Sequence, residues 1–158
     1  MKFILRVAAV AILGALSFSS GAFAAGMAGT WVFDLAKSTA VAGFAPKSMT
    51  LTISDLGGGK WKSVTETVLS AGTTAHSELT FAFDGKDYTP VTTPKVQGAP
   101  AIAQSFERVN DSTIKQTLKL NGTPIDTMTS VVAGNILTVT HSQPSPEGKV
   151  MVQVFERK

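Results

Sequence analysis

The chain has 158 residues, of which 44% are hydrophobic, 8% aromatic and 16% charged, and it contains no cysteine. That length argues for one domain, and a charged fraction below the usual quarter argues against intrinsic disorder. The absence of cysteine excludes a disulfide framework, thiolate metal sites, a cysteine nucleophile and a lipid-modified N-terminal cysteine.

The first segment changes the charge arithmetic. Met1–Arg6 carries two positive charges, Val7–Phe18 is apolar, and Ala22-Phe23-Ala24 has the small-x-small form of a cleavage site. This order is that of a secretory signal peptide, and the apolar run is too short to span a bilayer, which takes about 20 residues. The expected division is therefore a signal peptide over 1–24 and one domain over 25–158, in a periplasmic or secreted protein. Cleavage after Ala24 removes Lys2 and Arg6, so 14 basic side chains become 12 against 11 acidic ones. The pI of about 9.3 then belongs to the signal more than to the working molecule. With no basic face, nucleic acid is not an expected partner. No second apolar run of membrane length occurs, so the mature protein is expected to lack an integral span.

From Thr30 onward the chain is rich in Thr and Val, and segments of period-two alternation recur, each closed by a turn signal. Thr30–Leu35 is the first predicted strand. Leu35–Phe44 is the one candidate helix, a short one. Lys47–Leu56 sets Met49, Leu51 and Ile53 on one face and ends at Gly57-Gly58-Gly59. Lys60–Ser70 follows and turns at Ala71-Gly72. Thr74–Asp84 groups Ala75, Leu79, Phe81 and Phe83 against His76, Glu78 and Thr80. Asp84-Gly85 is a tight-hairpin pair leading to a short Lys86–Thr89. Val91–Gly98 contains Pro94 and reads as a loop or a broken edge strand. Ala101–Val109 ends at Asn110-Asp111. Ser112–Leu120 turns Ile114, Leu118 and Leu120 inward and closes at Asn121-Gly122, the strongest hairpin signal in the chain. Thr123–Val132, Ile136–Ser142 and Lys149–Arg157 complete the series.

The expected fold is all-β, an antiparallel up-and-down meander of about eight to ten strands, with a short helix or loop after the first. Connections of two to six residues favour consecutive neighbours, and closure into a barrel covers the edges. An interior of this size is either packed or holds one small ligand. An outer-membrane barrel is disfavoured. It would need an apolar outer band with aromatic girdles, whereas the outward positions here are Thr, Ser, Lys and Glu.

Gly29-Thr30-Trp31 on the first strand, followed by Lys47–Ile53 and Phe83-Asp84-Gly85-Lys86-Asp87-Tyr88, resembles the lipocalins and the wider calycin group, in particular small exported bacterial lipocalin-like proteins. The resemblance implies that Gly29 and Trp31 form the opening motif at the closed end of the barrel. It also implies that a late arginine, Arg157 or else Arg108, crosses the Trp31 ring. A guanidinium over an indole gains about 0.5–2 kcal/mol, and such a pair is structural. The family's second motif, Thr-Asp-Tyr, has only Asp87-Tyr88 as a partial counterpart.

No constellation for catalysis or metal binding stands out. His76-x-Glu78 could supply two ligands from one strand face, but lacks a third at short spacing. His76 and His141 are both expected on the outer wall. Tyr88, Asp87, Glu107, Arg108 and His141 are the only acid–base candidates, and no spacing brings any two together. Gly57-Gly58-Gly59-Lys60 lacks the phosphate-loop signature and reads as a turn. No catalytic residue, metal or cofactor is therefore assigned.

A binding role needs only a lined cavity with a few polar anchors. The interior candidates are Met49, Leu51, Ile53, Leu79, Phe81, Phe83, Phe106, Met128, Met151, Gln153 and Phe155, with Ile102, Ile114, Leu118, Leu137 and Val139 beside them. In the fatty-acid-binding calycins a polar pair on the last strand, two residues apart, holds the ligand carboxylate. Gln153 and Phe155 stand at those positions here. The leading expectation is a barrel binding a small hydrophobic ligand. The alternative is a protein-binding barrel, such as a protease inhibitor, acting through rim loops like Val91–Pro100. An enzyme with its site at the barrel mouth ranks last.

Overall fold

The computed structural model describes residues 26–39, 46–94, 101–144 and 148–158. The expected signal segment, the second half of the candidate helix and residues 95–100 of the Val91–Pro100 loop lie outside the described residues.

Among the described residues ten strands form one antiparallel sheet: β1 (Gly29–Phe33), β2 (Ser48–Gly57), β3 (Lys60–Val68), β4 (Thr74–Ala82), β5 (Val91–Thr93), β6 (Ile102–Arg108), β7 (Thr113–Leu120), β8 (Thr123–Ala133), β9 (Ile136–Pro144) and β10 (Val150–Arg157). Their order across the sheet is β5-β4-β3-β2-β1-β10-β9-β8-β7-β6. Every neighbour is thus a sequence neighbour except β1 with β10, which zips the two ends of the chain together through Trp31↔Arg157, Val32↔Glu156 and Phe33↔Phe155. The meander follows from the turn chemistry. At Asn121-Gly122 both residues take positive φ, 51° and 81°, the pairing a two-residue hairpin needs to match strand twist.

The sheet curls until β4 and β6 face each other, but they share no ladder. The seam carries one isolated bridge, Tyr88↔Gln104, with backbone bonds of 2.8 Å in both directions, and a 3.1 Å bond from Gly85 N–H to Phe106 O. Inside the seam Phe81 and Phe106 stack, ring centroids 4.0 Å apart at 25°. Full closure by strand pairing was the expectation. Val91–Thr93 instead pairs only with β4, because the prolines flanking it, Pro90 and Pro94, cannot donate to a ladder. Lys86–Thr89 contributes only the Tyr88 bridge instead of a strand. Leu35–Lys37 forms a turn, where a short helix or a loop was expected. Asp34 holds that turn by accepting from the Ala36 and Lys37 N–H groups, a local bond that competes with helix formation. Among the described residues no helix is long and apolar enough to cross a membrane.

Alternate residues of each strand point inward, and the core comprises Met27, Trp31, Ile53, Trp61, Leu79, Phe81, Phe106, Ile114, Leu137, Val139 and Phe155. At the closed end Trp31 is fully buried. Its Nε1–H donates to Met27 O at 3.0 Å, and the Arg157 guanidinium lies over its ring, 4.1 Å from the centroid. Arg157 also donates to Ala28 O and Gly26 O, both at 2.6 Å, so one side chain sutures the last strand to the segment before the first. Arg108 instead sits beside Asp111 at the surface, which leaves Arg157 as the arginine that crosses the Trp31 ring.

Gly29 fits beneath that guanidinium because it has no side chain. Its φ is +142°, and a Cβ there would lie 2.5 Å from an Arg157 terminal nitrogen. Gly29→Ala is expected to cost about 1–3 kcal/mol from backbone strain and displacement of Arg157. Urea unfolding followed by Trp fluorescence measures this; a loss below ~0.5 kcal/mol would show that the close approach is tolerant.

Candidate functional site

Midway up the barrel the inward faces do not fill the interior. They leave a cavity of about 180 Å3. Its apolar wall is Met27, Met49, Leu51, Ile53, Phe81 and Phe106 from one side of the chain order, with Ile114, Met128, Leu137, Val139 and Phe155 from the other. Its polar atoms come from Ser63, Thr65, Gln104, Gln116, Ser130 and Gln153.

The strand parities explain the shape. On β3, where β2 and β4 supply large residues, the inward positions above Trp61 are Ser63 and Thr65. Ser63 sits between Ile53 and Leu79, and Thr65 between Leu51 and Ser77. Small side chains there open the space that larger ones would occupy. On β6 and β7 the register sets Phe106 opposite Gln116 and Gln104 opposite Leu118. Gln116 Nε2 reaches diagonally to donate to Gln104 Oε1 at 2.9 Å. On β10 Gln153 faces Val139 across the ladder, with Phe155 facing Leu137.

None of the lining residues carries a charge. The nearest ionisable pair stands toward the open end, where β8 and β9 bring Met128 opposite His141. There His141 Nδ1–H donates to Asp126 Oδ2 at 2.6 Å, with side-chain exposures of only 14% and 11%. Asp126 Oδ1 accepts from the Ser142 N–H, the Ser142 hydroxyl and the Gln143 N–H, at 3.1–3.2 Å. Burial alone would raise the Asp126 carboxyl, but the His141 bond, the Gln143 N–H, the His141 charge and Ser142 together hold it below its ordinary value. His141 shares the inward parity of Leu137 and Val139 on β9 and so points inward, not to the outer wall as expected, where it meets Asp126.

His76 does stand on the outer wall, bonded to Glu66 and 3.2 Å from Glu78, which in turn pairs with Lys62 at 2.7 Å. The Glu66 carboxylate, working against desolvation and helped by Glu78, raises the imidazole's pKa. Among the described residues no group of three or more His, Asp or Glu is arranged to hold a metal ion. At the closed end Asp84 is lowered to about 2 by the Lys86 ammonium, with the Lys86 N–H and the Tyr88 hydroxyl adding to it against desolvation. Tyr88 donates to Asp84 at 2.9 Å, while Asp87 pairs with Lys119 and Arg108 with Asp111. Tyr88, Asp87, Arg108 and His141 are thus dispersed into separate pairs, with only that of His141 largely buried.

Of the interior candidates, Met49, Leu51, Ile53, Phe81, Phe106, Met128, Gln153 and Phe155 line the cavity. Leu79 is buried in the core without reaching it, Phe83 packs against Trp61 and Phe81 toward the closed end, and Met151 lies at a register shift in β10. Sequence reasoning missed Gln104, Gln116, Ser63, Thr65 and Ser130. The available signal was parity, since Gln104 lies two residues before Phe106 and Gln116 lies between Ile114 and Leu118.

Neither a family model nor a curated protein matches the chain. Solved structures do resemble it. Fatty-acid-binding protein 1 of Echinococcus granulosus is 21% identical, with a TM-score of 0.58 over 84% of this chain and 98% of that one. The wild-type fluorescent protein UnaG is 19% identical, with a TM-score of 0.59 over 84% and 97%. A Schistosoma mansoni fatty acid binding protein, solved with arachidonic acid, is 14% identical, with a TM-score of 0.56 over 89% and 98%. At these identities the likeness establishes the fold, an all-β antiparallel barrel of the fatty-acid-binding and calycin type.

Proposed function

We propose that this protein is an exported barrel that binds one small, largely hydrophobic ligand in its interior. The observation that carries the reading is the 180 Å3 cavity, walled by apolar side chains with a few convergent polar groups, the composition expected of a ligand site. An empty apolar cavity of ~150 Å3 suffices to take up benzene. The fold neighbours named above, two of them fatty-acid-binding proteins, support the same reading by analogy of architecture. Export rests on the address over Met1–Ala24.

Incubating the protein with a lipid extract, and identifying what co-purifies by native mass spectrometry, should recover one ligand per chain. Val139→Phe fills the cavity from β9, and is expected to lower affinity for the recovered ligand at least tenfold while leaving the protein folded. Retention of full affinity in a folded Val139→Phe protein would place the ligand elsewhere.

A further inference from the structure

We infer that the cavity selects an uncharged ligand whose head both donates and accepts hydrogen bonds, a primary amide or an alcohol on a chain or ring, and discriminates against the matching carboxylate. This rests on the binding role proposed above and adds the ligand's class.

The first observation is the chemistry of the polar atoms. Three carboxamides, Gln104, Gln116 and Gln153, reach the cavity wall from β6, β7 and β10. An amide offers two donors and an acceptor with two lone pairs. One bond, Gln116 to Gln104, joins two of them. Among the described residues no fully buried side-chain N or O atom lacks a partner, and all three amides belong to residues that line the cavity. A neutral head that donates and accepts matches this set. A carboxylate, which only accepts, leaves the Gln116 and Gln153 oxygens unmatched.

The second observation is where the charges are. A buried carboxylate is held best by a cation; beside neutral amides alone it is more prone to take up a proton. Among the described residues no Lys, Arg or His lines the cavity. Arg157 is engaged by the Trp31 ring and the Gly26 and Ala28 carbonyls at the closed end. Toward the open end, the His141 Nδ1 is already engaged by Asp126.

The third observation is size. With benzene as the guide for a cavity of this order, roughly six to eight non-hydrogen atoms fit. Hexanamide, 1-hexanol and hexanoate are matched in size and differ in head chemistry.

Isothermal titration of the protein with these three compounds and with benzene, at pH 8 and pH 5, tests the inference. Hexanamide and 1-hexanol should bind at least tenfold more tightly than hexanoate at pH 8. Lowering the pH toward the carboxylic acid range should narrow the gap, with hexanamide affinity unchanged. Replacing both bonded amides with apolar groups of similar shape, Gln104→Leu with Gln116→Leu, should abolish the preference for hexanamide over benzene. Gln153→Leu, tested alone, should weaken it. Hexanoate binding as tightly as hexanamide at pH 8 would overturn the ligand class and leave the binding role standing. A hexanamide preference that persists in all the glutamine variants would also overturn it. Failure of all four compounds, benzene included, would overturn the binding role itself.

Discussion

Trp31→Ala is expected to destabilise the protein by about 3–5 kcal/mol, the range for truncating a fully buried tryptophan. Three losses add up at one position. The indole is wholly inaccessible to solvent and sits where β1, β2 and β10 meet, opposite Leu51 and Arg157. Its Nε1–H would no longer satisfy Met27 O, and the Arg157 guanidinium would lose the ring beneath it. The chain has no disulfide to hold the closed end in place of these contacts, so the loss should appear undiminished in urea unfolding. Trp31→Phe keeps most of the apolar volume and isolates the polar part. It should cost less than the alanine variant, and a double-mutant cycle with Arg157→Met should give a coupling of about 0.5–2 kcal/mol. A Trp31→Ala loss below 1 kcal/mol would mean that the closed end is not a stability determinant.

Much of the architecture was legible because two periodicities dominate the chain. Alternation named the inward face of β2 through Met49, Leu51 and Ile53, and of β4 through Leu79 and Phe81. Turn pairs such as Asn121-Gly122 placed the connections, and short connections imply a meander. What alternation cannot express is register and closure. The seam between β4 and β6 is set by a stack of Phe81 on Phe106 and one bridge at Tyr88, contacts between segments that no local pattern links. Parity alone also does not say where a cavity ends. Leu79 shares its face with Phe81, yet only Phe81 lines the open space. Thr138 and Thr140 on the outer face of β9 blur the contrast that would have marked His141 as inward. Its partner, Asp126, lies 15 residues away and meets it only through the β8–β9 ladder.

That pair carries the second large expectation. Asp126→Ala should lower stability by about 2–3 kcal/mol at neutral pH, because one side chain accepts four hydrogen bonds and its removal strands a partly buried imidazole donor. The Ser142 and Gln143 donors are exposed and water can replace the carboxylate there, which keeps the figure from rising further. The sign of the pH dependence follows from the lowered carboxyl pKa. A group whose pKa is depressed in the folded state contributes its full stabilisation above its unfolded value, here near 3.8, and loses it as the pH falls through the folded value. The stability gap between the native chain and Asp126→Ala should therefore be widest above pH 5 and shrink on acidification toward pH 3. Asp126→Asn keeps an acceptor oxygen and the shape of the side chain but cannot ionise. It should cost less than alanine, and the native chain's advantage over it should also shrink toward pH 3. Urea titrations of the three proteins between pH 7 and pH 3 measure this directly. A gap that stays constant across that range would show that Asp126 acts as a neutral spacer and not as the charged acceptor that meets His141.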